Sequence, residues 1–125
     1  MYVHGLDIKT GDTFCFYAPD PELALPSSET ASQEIAQLKH KEIIGGFIFT
    51  CCGRGAPFFG RPNIDSSPVL DNFPSIPVSG MFCGGEIGRG PSISGKSDGG
   101  QEQSFLHVYS SVYLLLSFSP PPRRA

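Results

Sequence analysis

The chain is short of charge, of long apolar runs and of paired metal-ligand spacings, and each shortage removes a class of function. Charged residues make up 17% of its 125 residues, below the ~25% of an ordinary domain. The net charge of -3 and a pI near 5.5 leave no electrostatic footprint for nucleic acid, and the two arginines near the C-terminus, Arg123 and Arg124, are too few for a basic patch. No apolar run approaches a membrane span; the strongest is Val112 to Leu116, with Tyr113 inside it. The opening "MYVHGLDIKTG" has no apolar secretory core. The expectation is therefore a soluble, intracellular protein of the cytoplasm or nucleus, away from membranes. Neither C-x-x-C nor H-x-x-x-H occurs among Cys15, Cys51, Cys52, Cys83, His4, His40 and His107, which argues against a metal or other cofactor. In a reducing compartment the four cysteines are expected as thiols.

What is present is a turn-rich globular chain. Glycine and proline together supply about a fifth of the residues, and 39% are hydrophobic. "YVHGLDI", "KTGD" and "TFCFY" read as strand, turn and strand. "APDPELALP", with Pro19, Pro21 and Pro26, reads as an extended connector. "SSETASQEIAQLKHKE" predicts a helix capped by Ser27 or Ser28, with Ala31, Ile35 and Leu38 as its apolar stripe. The continuous apolar run Ile43 to Cys52 fits a strand buried on both faces. "NIDSSPVLDNF" predicts a short helix capped by Asp65 or Ser66, and Pro74 to Gly85 a second buried strand. Residues 84–104 read as a Gly/Ser-rich loop. Ser104 to Phe118 reads as one long strand whose even positions (Leu106, Val108, Val112, Leu114, Leu116, Phe118) form its apolar face. Residues 119–125 read as a disordered tail.

The resulting order is β-β-α-β-α-β-β, an α/β or α+β fold with a mixed sheet. The central strand-helix-strand unit should join two parallel strands by a right-handed crossover. Both strands would then end at one sheet edge, in "CCGRG" and "CGGEIGRG". Ligands favour the carboxyl ends of strands in open α/β sheets. Candidate ligand or partner residues are therefore Cys51, Cys52, Gly53, Arg54, Gly55, Cys83, Gly85, Glu86, Gly88 and Arg89. Arg54 and Glu86 could pair with each other and pin the two glycine turns, or line a pocket for a small polar ligand. Phe58 and Phe59, with Ile64, fit either a core or an exposed anchor for a protein partner.

"GPSISGKS", Gly90 to Ser97, matches the phosphate-binding pattern G-x-x-x-x-G-K-S/T. Such a loop needs a strand leading in and a helix leading out. Here Gly99 and Gly100 follow, and Pro91 removes an N–H from the cradle. Lys96 is read as a chance match, with no nucleotide site. A cysteine beside Arg54 could be an activated thiolate. Cys51 or Cys52 is the candidate for a reactive thiol, but no sequence feature brings a base such as His107 to it.

"GGFIFTCCGRG", "FPSIPVSGMFCGGEIGRG" and "LHVYSSVYLLLSF", in this order, resemble the C-terminal domain of FIST proteins, over residues 2–118 and most closely their eukaryotic F-box members, plant ones above all. The resemblance implies a non-enzymatic recognition or ligand-binding module. In F-box members it would be the substrate-recognition part of an SCF ubiquitin ligase, serving proteasome-dependent degradation. Alternatives are an amino-acid-like small-molecule sensor in intracellular signalling and, third, a thiol-dependent enzyme. The motif positions are Cys52, Gly53, Arg54, Gly55, Gly85, Glu86 and Gly88. No F-box and no N-terminal FIST half is legible in these residues, so docking of the SCF adaptor subunit is not expected from this stretch alone. The partner is expected to be a protein substrate or a small polar ligand.

Overall fold

The structure, a computed structural model, describes residues 9–13, 15, 18–89 and 104–120. The first predicted strand and most of the second lie outside the described residues, as do the Gly90–Ser97 motif with Lys96 and residues 121–125 of the tail. Helix α1 (Pro21–Ala36) begins inside the stretch expected to be an extended connector. The Asp20 carboxylate accepts from the N–H groups of Glu22 and Leu23 at 2.9 and 3.2 Å, and Pro21 occupies the first helical position, where a missing N–H costs nothing. Proline spacing suggested a linker because it cannot tell a helix start from an extended segment; the Asp20–Pro21 pair decides it, and neither Ser27 nor Ser28 caps. A 3-10 turn, Gln37–His40, ends the helix.

Strand β1 (Glu42–Cys51) is central, flanked by β2 (Val78–Cys83) in parallel and β5 (Ser111–Phe118) antiparallel. The parallel pairing of β1 and β2 is as expected, and Cys51 stands opposite Cys83. Between them lie two single-turn helices, α2 (Ala56–Phe59) and α3 (Ser67–Leu70). The predicted 65–73 helix thus shrinks to one turn, whose N-cap Ser66 makes no side-chain cap. Strand β3 (Glu86–Arg89) falls within the expected loop and pairs antiparallel with β4 (Ser104–His107). The class is α+β, with a mixed sheet and a separate hairpin.

Three expectations about the sheet change. Residues 104–118 are not one strand: the chain breaks at Tyr109, whose φ of 52 is left-handed, so β4 leaves for the hairpin. The buried face of β5 is also the odd one. Tyr113 and Leu115 pack on the core of Ile35, Ile48 and Val69, together with Phe73, Ile76 and Val78. Leu114, Leu116 and Phe118 sit roughly half exposed on the opposite face. Both faces of "VYLLLSF" are apolar, so period two cannot choose between them; the register Ile48↔Tyr113 does. The hairpin covers part of the outer face, where Gly88 lies so close to Val112 that a Cβ there would stand 2.8 Å from it. Finally, β2 is the outer strand of its sheet among the described residues rather than a buried one, with Met81 and Phe82 61% and 62% exposed.

Candidate functional site

The glycine turn after β1 is organised by one buried cation. Arg54 donates from Nε to Asp65 Oδ1 at 2.8 Å and from Nη1 to the Tyr109 carbonyl at 2.7 Å. Its guanidinium stands over the Phe59 ring, 4.9 Å from the centroid. The two charged side chains are only 6% and 12% exposed. Asp65 Oδ1 also accepts from Ser111 Oγ at 2.9 Å, and Thr50 and Ser111 hydroxyls meet at 3.1 Å. Tyr113 donates its hydroxyl to the Asp65 carbonyl at 3.0 Å. Burial, and then the Asp65 carboxylate, push the Tyr113 phenol up to about 12. The partner of Arg54 is thus Asp65, not Glu86.

Glu86 is 1% exposed. Its Oε2 accepts from Ser110 Oγ at 3.0 Å, and its Oε1 has no hydrogen-bond partner among the described residues. The connector Tyr109–Ser110–Ser111 therefore ties both glycine turns: Tyr109 and Ser111 on the Arg54–Asp65 side, Ser110 on the Glu86 side. The Cys51 N–H also donates to the Ser110 carbonyl at 2.9 Å. The left-handed backbone at Tyr109 is held by these bonds, by its ring against Gly53 and by its approach to Phe58, 6.0 Å between centroids.

The sheet separates the remaining candidate residues. Cys52, Arg54 and Gly55 line an open groove of about 820 Å³ on the helix-bearing side of β1 and β2. Its other walls include Pro57, Pro62, Asp65, Leu70, Gly80 and Phe82. Gly55 adopts φ 88 to turn the chain into α2, and a Cβ there would stand 3.3 Å from the Phe82 ring. Cys51, Cys83, Gly85, Glu86, Gly88 and Arg89 do not line this groove. Cys51 and Cys83 end their strands side by side and half-buried, with the Cys52 N–H donating to the Cys83 carbonyl at 2.8 Å. Gly85 is exposed beside Leu106, and Gly88 and Arg89 continue β3.

All four cysteines are free thiols, and Cys15 and Cys52 are exposed. Among the described residues no group of three His, Cys, Asp or Glu side chains could hold a metal ion. His107 meets the Gly88 carbonyl at 3.1 Å through Nε2, within its own hairpin. Phe58 and Phe59 are half-buried, edge to face at 4.8 Å, so they furnish the packing around Arg54 rather than a fully exposed anchor. Sequence reasoning missed Asp65, taken as a helix cap, and the serines of "YSSVY". Two hydroxyls inside an apolar strand are the signal that could have found them, because buried polar groups seek partners.

The profile of the FIST C domain family matches residues 2–89, and the chain belongs to that family. It is 46% identical to an F-box/LRR-repeat protein of Arabidopsis thaliana over 95% of this chain and 24% of that protein. It is 30% identical to human F-box only protein 22 over 57% of this chain and 19% of that one. An uncharacterised protein of Mycobacterium tuberculosis is 35% identical over 65% of the chain and 21% of its own length. The chain thus spans about a quarter of the curated relatives it matches, or less. Among the described residues no helix is long and apolar enough to cross a membrane.

Proposed function

We propose that this FIST C domain is a non-enzymatic recognition domain, active in the cytoplasm or nucleus. In full-length F-box proteins it would hold a protein substrate for an SCF ubiquitin ligase and so direct it to proteasomal degradation. The carrying observation is the groove beside β2: open, walled by Pro57, Pro62, Leu70, Met81 and Phe82, with its one cation and one carboxylate already satisfying each other. A neutral, largely apolar groove favours a segment of protein over a charged metabolite. The test compares the proteins bound in proteasome-inhibited cells by the chain and by its Leu70→Arg variant, which puts a charge on the groove wall at a position 39% exposed. The expected result is a set of partners lost in the variant at unchanged melting temperature. Identical sets overturn the reading.

A second reading, an amino-acid-like sensor, draws support from Glu86, whose buried Oε1 has no partner among the described residues and is an acceptor that an ammonium group would satisfy. It requires a thermal shift with some free amino acid that disappears in Glu86→Gln; no shift across an amino-acid panel counts against it.

A further inference from the structure

Cys51 and Cys83 are partners in the last register pair of β1 and β2. Register partners on parallel strands point to the same face of the sheet. Ile48, Thr50 and Cys52 line the groove on the helix-bearing side, so alternation places Cys51, and Cys83 with it, on the opposite face. Neighbouring strands lie about 4.8 Å apart, within the ~4.4–6.8 Å between Cα atoms that a disulfide accepts. The Gly46 N–H donates to the Pro77 carbonyl at 3.0 Å and the Cys52 N–H to the Cys83 carbonyl at 2.8 Å. These two bonds fix the phase of the ladder: the carbonyls of residues 77, 79, 81 and 83 are the ones aimed at β1. The Cys83 thiol donates to the Met81 carbonyl at 3.7 Å. Its sulfur therefore lies on the β1 side of its own strand, toward Cys51.

Both thiols are free and half-buried, and both strands end at this pair. A disulfide prefers its Cβ atoms ~3.5–4.5 Å apart, a little closer than the strand spacing, so closing it draws the strand ends together. The turns beyond can yield: Gly53 follows β1, and Gly84 follows β2 with nothing within 4 Å of where its Cβ would stand. A bond that must pull its strands together stores strain, and strained disulfides are the easily reduced, regulatory ones.

We propose that Cys51 and Cys83 are a redox-modification site: a reversible disulfide, made by exchange with a small disulfide of the glutathione class, that fastens the ends of β1 and β2. It ties together the turns leading to Arg54 and Glu86, and it is independent of what the groove holds. One protein thiolate attacks a sulfur of glutathione disulfide, and one glutathione leaves as its thiolate. The neighbouring cysteine, its proton given to solvent, attacks the protein sulfur of this mixed disulfide and expels the second glutathione. Two electrons pass from the protein to the small disulfide, and the two thiol protons end on the two glutathiones. Cys52 is exposed and meets the reagent, but it faces the other side of the sheet and stops at the mixed disulfide.

The intact chain, equilibrated with buffers of reduced and oxidised glutathione, quenched in acid and mapped by mass spectrometry, provides the test. A Cys51–Cys83 bond is expected in the parent and in Cys52→Ser, and in neither Cys51→Ser nor Cys83→Ser. Its occupancy should fall with the square of the reduced glutathione concentration, as a bond between two protein thiols requires. It should vanish at a ~100-fold excess of reduced over oxidised glutathione. Mixed disulfides alone, with a linear dependence, overturn the proposal. So does a Cys51–Cys52, Cys52–Cys83 or intermolecular bond, or a Cys51–Cys83 bond that survives that excess. Hydrogen exchange then reads the fastening: the Cys52 amide, which donates to the Cys83 carbonyl, should exchange at least ~10-fold more slowly in the disulfide form. An unchanged rate overturns the proposal, because the bond would then hold nothing that was loose.

Discussion

Replacing Arg54 by alanine separates a structural cation from a ligand-binding one. In the folded chain its Nε and Nη1 are committed to Asp65 and to the Tyr109 carbonyl, at 2.8 and 2.7 Å. The variant leaves the Asp65 carboxylate buried with Ser111 Oγ as its remaining side-chain donor and leaves the Tyr109 carbonyl without its donor at the break between β4 and β5. Removing one partner of a buried ion pair costs about 3–5 kcal/mol, mostly the desolvation of the charge left behind. At 6% and 12% side-chain exposure, solvent recovers little of this. For a chain of this size the loss corresponds to a fall of roughly 10–20 °C in Tm. Urea unfolding gives the free energy directly, provided the m-value is unchanged. Arg54→Lys should also lose stability, since an ammonium cannot serve Asp65 and Tyr109 in the planar fork that Arg54 uses. The double variant Arg54→Met/Asp65→Leu, which leaves no orphaned charge, should be more stable than either single one. A loss below ~1 kcal/mol in Arg54→Ala, with all variants alike, would refute the reasoning and return Arg54 to the list of residues free to hold a ligand.

Four other outcomes follow from the same structure. Tyr113 has its pKa raised to about 12, above the ~10 of an unfolded tyrosine. Its contribution is therefore complete below pH 10 and is lost as pH rises through 12, by about 2–3 kcal/mol, and subtracting the Tyr113→Phe curve from that of the parent should isolate this alkaline loss. Leu115→Ala should cost about 2 kcal/mol and Leu116→Ala under ~1 kcal/mol; the reverse order in urea would mean that the even face of β5 is the buried one. Gly80→Ala should cost ~2 kcal/mol or more, because the new Cβ meets backbone at Ile48, while Gly84→Ala, with nothing within 4 Å, should stay within ~0.5 kcal/mol. Alkylation near neutral pH should reach Cys52 ahead of the half-buried Cys51 and Cys83, at the rate of a free model thiol; a much faster reaction would revive a thiol-dependent activity.

Much of the edge at which β1 and β2 end is legible in the sequence. "IIGGFIFTCC" and "IPVSGMFC" are strands because they are apolar runs bounded by turn glycines, and a helix between them makes them parallel, so their glycine turns must meet. The meeting of Cys51 and Cys83 follows from that connectivity. The partner of Arg54 was not legible. Asp65 lies eleven residues on in a stretch that reads as a cap, and only the fold brings Ser111 and Tyr113 down on it. The proline-rich start of α1 is not legible either, because φ near −65° suits a helix start and an extended linker equally.

The sequence by itself determined the family, a fold of helices on a mixed sheet, the parallel β1–β2 pair and the edge at which the two strands end in their glycine turns, because local apolar periodicity and short connections leave few alternatives. Tertiary structure alone decided which face of β5 is buried, that β2 is the outer strand among the described residues, and that Arg54 is spent on Asp65 while Glu86 is tied to Ser110. Those choices depend on register and on contacts between residues 11 to 61 positions apart, and nothing in the local pattern of one strand records what its neighbour will place beside it.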